Sequence, residues 1–338
     1  MRNNQLSDAA KLMDAAIGYM FSAALRAVAV TRLADHLDDH PRTPADLAAA
    51  AGVSADGVAR VLRLLATQGL FAEDVQGRFR LTEAGEPLRS DSRVSVRDMV
   101  VMHTDRSFWL PAGEMERCMT EGRALTEDIL GKPFFGYYTQ DPGLTALFHG
   151  GMAATSAIED APIAAAYDFP ATGTAVDVGG GHGGFLAAVL RANPGLHGVL
   201  HDEAHVLAGH RLAGQPDLAG RWTCAAGDFF SSVPSGDILV LKRILHDWDD
   251  ERCVRLLRVC RQALNPGGRV LAVDSVIIPD NLPHQGKVMD LLMMASTGGR
   301  ERTEDDFRRL LADAGLRLVR IVSTPAVLSI AEATPAPT

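Results

Sequence analysis

Cysteine is scarce in this 338-residue chain: Cys118, Cys224, Cys253 and Cys260 are all of it. None forms a C-x-x-C pair and no spacing suits a ligand set, which excludes a zinc domain and a disulfide framework. Cys253 and Cys260 fall on one face of an expected helix, and the four read as reduced core thiols. Positive charge is also short, with 33 Lys and Arg against 42 Asp and Glu and a net charge of −9. That balance argues against a nucleic-acid partner, because phosphate binding needs a basic face. Long apolar runs are missing as well. The tract from Ala15 to Val30 is shorter than the roughly 20 residues of a membrane span and carries Arg26. It reads as a buried or dimer-facing helix, with no membrane partner. Met1-Arg2-Asn3-Asn4-Gln5 runs into polar Ser7-Asp8, so no secretory signal is read. There is no internal repeat and no low-complexity segment, apart from a Thr334-Pro335-Ala336-Pro337-Thr338 tail expected to fray. The expectation is a soluble, cytoplasmic protein.

What is present is apolar content, at 47%, enough for one large or two modest domains. Helical spacing runs from Leu6 to about Leu37. Thr43 and Pro44 then mark a helix start, and Ala45 to Ala51 ends at Gly52. Ser54 caps a second helix, Ala55 to Thr67, ended by Gly69. Phe79-Arg80-Leu81 follows a turn at Gly77, and Thr82 opens another helix. Together these make a winged helix over residues 1–100. As a DNA reader it offers only Arg60 and Arg63, beside Asp56, so an apolar face for dimerisation is the better reading. Residues 101–170 are helical, rich in Met, Phe and Tyr, with breaks at Gly131, Gly136 and Gly150.

Strand–helix alternation fills 171–338. The strands are Ala175–Val178, Gly198–His201, one before Gly227, Ile238–Leu241, Arg269–Val273, Arg317–Val322 and Val327–Ala331. Helices Glu251–Leu264 and Thr303–Ala314 lie between them. This predicts an α/β domain with a doubly wound parallel sheet. The last two strands are joined by only four residues, too few for a crossover, so they pair as an antiparallel hairpin.

The chemistry starts at Asp177-Val178-Gly179-Gly180-Gly181-His182-Gly183, a strand tip, a glycine turn and a helix start. Glycines there let backbone approach a cofactor. Gly179, Gly181 and Gly184 also satisfy G-x-G-x-x-G, so a dinucleotide fold reads alike. Asp202 ends the second strand, where an acid accepts bonds from ribose hydroxyls of either kind of nucleoside cofactor. Asp228 and Phe229 could take an adenine amine and its ring face. His246 stands just beyond a buried strand, at the mouth where open α/β sheets bind ligands. With an unperturbed pKa near 6.5 it is a candidate general base.

Four strings then resemble one family: Val176–Gly183, Gly227–Phe230, Leu241-Lys242-Arg243-Ile244-Leu245-His246-Asp247-Trp248, and Gly298-Gly299-Arg300-Glu301-Arg302-Thr303. Their order and spacing resemble the S-adenosylmethionine-dependent O-methyltransferases of the plant caffeic acid type and their bacterial natural-product relatives, over almost the whole chain. The resemblance implies a Rossmann-like methyltransferase sheet behind a winged-helix homodimerisation domain. It implies His246 as the base that deprotonates a phenolic or enolic hydroxyl for in-line methyl transfer, flanked by Glu301 and Asp274. Asp274 departs from the family's usual Glu and is shorter. Lys242, Asp228 and Phe229 match cofactor contacts, Ser156 a contact to the methionine carboxylate, and Asp177, Gly179, Gly181, Gly183 and Asp202 complete that set. His201-Asp202-Glu203-Ala204 departs from the usual Phe-Asp-Leu-Pro. Met99, Met102, His103, Phe135, Phe148, Met152, Met289 and Met293 are pocket positions for a small aromatic acceptor, each equally suited to core. No metal is required by this reading. Relatives repurposed for hydroxylation or decarboxylation, and a winged-helix regulator, are the alternatives.

Overall fold

The computed structural model describes residues 2–38 and 40–337, with side chains from Asp8 onward, in two compact units. The first takes the chain up to Arg106 together with Ala146–Thr155, and the second takes Ser107–Thr145 with everything from Ser156.

The first unit opens with α1 (Arg2–Ile17) and α2 (Tyr19–Thr31). The single helix expected to reach Leu37 is therefore corrected: it breaks at Gly18 and again at Arg32, whose φ of 55° lies in the left-handed region. The Leu6 side chain of that expectation lies outside the described residues. Helices α3 (Pro44–Ala51) and α4 (Ala55–Ala66) start as the caps dictate. Thr43 and Asp46 close a reciprocal capping box, and the Ser54 hydroxyl accepts from the Gly57 N–H. The wing is β1 (Phe71–Glu73) antiparallel to β2 (Phe79–Leu81), and α5 (Arg97–His103) follows. No α-helix starts at Thr82. Its hydroxyl donates to the Gly69 carbonyl at 2.6 Å and accepts from the Gly85 N–H, which commits it to a turn.

Val28, Leu33, Leu37, Leu47, Leu62, Leu65, Phe71 and Phe79 form this unit's core. The two arginines of α4 are both engaged by acids, Arg60 with Asp56 and Arg63 with Glu73. From Asp8 to Thr31 the helical tract is 24 residues, by length and composition alone enough to cross a membrane. Within it Arg26 donates to the Val101 carbonyl and the Thr104 hydroxyl, while Leu12, Met13, Ile17, Tyr19 and Met20 are exposed.

The second unit begins with short helices: α6 (Arg106–Ala112), α7 (Met115–Glu121), α8 (Thr126–Leu130) and α9 (Phe134–Tyr138). Gly131 ends α8 as expected. Gly136 and Gly150 do not break anything, since they lie inside α9 and inside α10 (Pro142–Ala165), which runs through both units. The doubly wound part then runs β3 (Gly173–Val178), α11 (Gly184–Ala192), β4 (Leu196–Asp202), α12 (Ala204–Leu207), β5 (Trp222–Ala226) and β6 (Gly236–Lys242). It continues with α13 (Asp250–Ala263), β7 (Leu264–Asp274), the short β8 (Val276–Ile277), α14 (Gln285–Ser296), β9 (Arg302–Thr303) and α15 (Glu304–Asp313). The hairpin β10 (Leu316–Ser323) and β11 (Ser329–Pro335) closes it.

Seven strands form one mixed sheet in the order β10-β11-β7-β6-β3-β4-β5. The five central and edge strands from β7 to β5 are parallel, while β11 runs antiparallel to both β7 and β10. Period-two alternation on a sheet covered on both faces sends Ile238 and Val240 into a core with Leu186, Leu190 and Val273. Leu239 and Leu241 face the other core, with Leu256, Leu257, Phe307 and Leu311. Two expectations are corrected here. Thr334 and Pro335 do not fray but pair with Arg317 and Leu316. Cys224 sits exposed on the edge strand β5, while Cys118, Cys253 and Cys260 are buried.

The parallel strands end along one edge of the sheet, at Val178, Asp202, Ala226, Lys242 and Asp274. That edge carries the site. The core behind it is tested by Phe307→Ala: Phe307 is buried among Leu256, Leu257 and Leu311, and its loss is expected to cost about 3–5 kcal/mol in denaturant unfolding.

Candidate active site

The glycine turn leaves β3 and enters α11 with Gly179, Gly181 and Gly183 all at positive φ, between 57° and 81°. It is also a cradle. A Cβ on Gly180 would stand 2.6 Å from the Asp177 carboxylate and from Leu200, and one on Gly179 would stand 2.5 Å from Ile244. Nothing lies within 4 Å of such an atom on Gly181, which faces open space. Asp177 is buried, its Oδ2 has no hydrogen-bond partner, and burial, with Asp160 nearby, pushes its pKa up to about 7. An orphaned acid oxygen beside side-chain-free backbone fits a ligand group that donates hydrogen bonds or carries positive charge.

Asp202 closes the turn from the next strand. Its Oδ2 accepts from the Gly181 N–H at 2.8 Å and its Oδ1 from the Glu203 N–H. The carboxylate keeps lone pairs for ribose hydroxyls. Asp228 accepts from the Phe230 N–H and the Ser231 hydroxyl, which hold its carboxyl below the usual range. Phe229 packs edge-on to Phe230 and Trp248, near the Gly179 position.

Lys242, at the end of β6, donates to the Ser156 hydroxyl at 3.1 Å and pairs with Asp160 at 3.0 Å. The next residue, Arg243, forms a bidentate pair with Glu159 while holding φ of 56°. Two consecutive cations thus meet two consecutive acids of α10, all four largely buried. Glu159, Asp160 and Arg243 were not singled out from the sequence. Arg243 stood in the string around His246, but Glu159 and Asp160 read as an ordinary helical pair.

His246 follows on a 3-10 turn, Leu245–Asp247, and is buried. Its Nδ1 lies 2.8 Å from Glu301 Oε1, and Asp247 Oδ1 lies 3.8 Å from its Nε2. Burial alone would lower the imidazole pKa. Asp247, Glu301 and Asp274 outweigh it, and the pKa is pushed up to about 9. Glu301 is brought in by its own N–H donating to Asp290 of α14. Asp274 ends β7 with both carboxylate oxygens unpartnered, so it makes no hydrogen bond to His246. Its effect on the ring is through charge, and burial pushes its own pKa up to about 6.

Of the pocket positions, Phe135, Met289 and Met293 belong to the second unit. Phe135 stacks on Trp248 at 5.8 Å, and both methionines stand on α14, Met293 buried. Met99, Met102, His103, Phe148 and Met152 belong to the first unit, on α5 and on its part of α10. There Met102 is wholly buried in contact range of Gly151, a core position. Among the described residues, no group of three or more His, Cys, Asp and Glu is arranged to hold a metal ion.

Known proteins share this fold and much of this sequence. Residues 13–91 match the O-methyltransferase dimerisation domain and residues 114–317 the O-methyltransferase domain. The chain is 36% identical over 327 residues to phenazine O-methyltransferase PhzM of Lysobacter antibioticus, covering 96% of this chain and 95% of that one. The crystal structure of CalO1, a methyltransferase in calicheamicin biosynthesis in its SAH-bound form, superposes with a TM-score of 0.89 at 49% identity, covering 98% and 99%. NcsB1 from neocarzinostatin biosynthesis, solved with S-adenosylmethionine and 2-hydroxy-5-methyl naphthoic acid, gives 0.79 at 36% identity, covering 93% and 95%. The chain belongs to the O-methyltransferase family, with a dimerisation domain ahead of its methyltransferase sheet.

Proposed function

We propose that the protein moves a methyl group from S-adenosylmethionine to a phenolic or enolic hydroxyl of a small, planar aromatic secondary metabolite, with His246 taking the hydroxyl proton. The hydrogen bond between His246 Nδ1 and buried Glu301 carries this reading. When bound, S-adenosylmethionine supplies a methyl group already activated on a sulfonium. Everything else falls to the chain. Asp202 receives ribose hydroxyls, Asp228 and Phe229 the adenine, and Ser156 and Lys242 the amino-acid end beside Asp177 and the glycine turn. Phe135, Met289 and Met293 give the acceptor an apolar, adaptable wall. PhzM and NcsB1, by the names they carry, handle fused aromatic systems, which supports the same acceptor class here.

Glu301 accepts from Nδ1–H and so leaves Nε2 to receive the proton. As the imidazolium forms, the carboxylate stabilises it. A base near pKa 9 facing a phenol near 10 is closely matched, so proton transfer has little to climb. Holding the reactants in attack geometry can supply about 7–11 kcal/mol of the barrier. The dimerisation domain makes the protein a homodimer. We assign the exposed apolar face of α1 and α2 to that interface and the protein to the cytoplasm.

Five outcomes are expected. S-adenosylhomocysteine at a hundredfold excess over its Kd should stabilise the fold by about 2.7 kcal/mol in a thermal shift, while NAD should not. A shift with NAD alone would sink the methyltransferase reading. Light scattering at micromolar concentration should give a dimer mass, and a stable active monomer would contradict the interface. His246→Ala should keep cofactor affinity and lose about 10²–10⁴-fold in turnover of a weakly acidic phenol. For the wild type, kcat/KM should climb with pH until about 9, because the free enzyme's imidazole must first give up its proton. Glu301→Gln should move that limb to lower pH and reduce the plateau. Equal rates for wild type and His246→Ala would make His246 structural only.

A further inference from the structure

The turn that carries His246 is held by a strap, Gly299 to Arg302. Gly299 lies so close that a Cβ there would meet the His246 carbonyl at 1.9 Å. The Arg300 N–H donates to that same carbonyl at 2.9 Å, and Glu301 takes the ring through Nδ1. Arg302 completes the grip. Its Nη1 donates to the Leu245 carbonyl at 2.7 Å, its Nη2 to the Trp248 carbonyl at 3.0 Å, and Nη2 and Nε both reach Asp250 Oδ1 at the start of α13.

Arg302 is only 2% exposed and heads the largest fully buried side chains of the protein. A guanidinium withdrawn from water must be met by acceptors, and these acceptors are the carbonyls on either side of His246. Other bonds share the load: the Asp247 N–H donates to the Ile244 carbonyl, the Cys253 thiol donates to the Leu245 carbonyl, and the Leu245 side chain is buried in the core. Arg243 enters the turn at φ 56°, and the turn itself is a single 3-10 element.

We propose that Arg302 is the positioning residue for the base: its planar fork fixes where the His246 backbone stands, while its neighbour Glu301 fixes how the ring is turned. The assignment rests on the reading of His246 as the base. A lysine cannot substitute, because one ammonium does not span two carbonyls and a carboxylate in a plane. The acids acting on His246 are Asp247 on its own turn, Glu301 on the strap and Asp274 at the end of β7, and the cations Arg243 and Arg302 act on those same acids. Release of the backbone changes the distance to all three acids, so the loss registers in titration as well as in rate.

The test compares Arg302→Lys with wild type in the intact homodimer. Turnover should fall by up to about 100-fold, the cost of a base displaced by about an ångström. The Kd for S-adenosylhomocysteine, read by calorimetry, should stay within about twofold, since no cofactor contact is touched. The acid limb of kcat/KM should slide from wild type's midpoint toward the ordinary histidine value of about 6.5. Gly299→Ala, which pushes on the His246 carbonyl from the strap side, and Asp250→Asn, which loosens the outer anchor, should shift the limb in the same direction. If Arg302→Lys does not fold, these two decide. Wild-type rate and midpoint overturn the proposal. So does a fall in cofactor affinity parallel to turnover with the midpoint unmoved, which is the mark of general damage. Adding Arg302→Lys to His246→Ala should cost nothing further, and a full additional loss would show that Arg302 acts elsewhere. A wild-type rate for His246→Ala would retire the base itself. A slow His246→Ala beside an unaffected Arg302→Lys retires only the strap.

Discussion

A cation withdrawn from water must be paired, and this constraint arranges much of the C-terminal edge of the sheet. His246, Glu301, Arg302, Glu159 and Asp160 are all buried, and Lys242 and Arg243 expose under a tenth of their side chains. Each cation there is met by an acid or by carbonyls: Lys242 by Asp160, Arg243 by Glu159, Arg302 by Asp250 and two carbonyls. Removing one partner of such a pair typically costs about 3–5 kcal/mol, because the other charge is left stranded. The cost of burial therefore becomes a source of precision. A side chain that must keep its partner cannot drift, and the imidazole of His246, the proposed base, inherits that fixity.

The pairs also explain which parts of the site were legible in the sequence. Local signals could be read directly. Thr43 and Ser54 announced their helices, the short link between the last two strands forced a hairpin, and glycines marked the cofactor turn. His246 was identifiable because it follows a buried strand, and Glu301 because its string resembles a family motif. Long-range partners were not legible. Nothing local tells that Arg302 reaches back to Leu245, 57 residues earlier, or that Glu159 waits for Arg243, 84 residues later. The failures have the same origin. Gly136 and Gly150 were expected to break helices on propensity alone, but tertiary packing carries α9 and α10 through them. The C-terminal tail looked frayed by composition, yet an edge hairpin gives its backbone partners as far as Pro335.

Asp274 shows where resemblance outruns geometry. Shortening a glutamate to an aspartate keeps the charge at the end of β7 but withdraws the carboxylate, which hydrogen-bonds nothing. One flanking acid then holds the ring, and the other only colours its field. The ring orientation therefore rests on a single hydrogen bond, the one to Glu301.

The same electrostatics resolves the ambiguity of the glycine motif. In a dinucleotide fold the pyrophosphate sits at the N-terminus of the helix after the glycine turn, drawn by unpaired N–H groups and the helix dipole. Here that place is guarded by acid. Asp160 Oδ2 stands 2.7 Å from where a Cβ of Gly184, the first residue of α11, would be, and Asp177 lies buried beneath Gly180. Asp202 adds a third carboxylate against the Gly181 N–H. An incoming diphosphate would meet repulsion from Asp160 and Asp177, with Lys242 already bound to Asp160. A ligand with a cationic end meets the opposite field, and its charge would draw down the pKa of Asp177, which burial holds near 7. Two cofactors can share a glycine turn and a ribose acid. They cannot share the charge around them, and in this chain that charge is set for a cation.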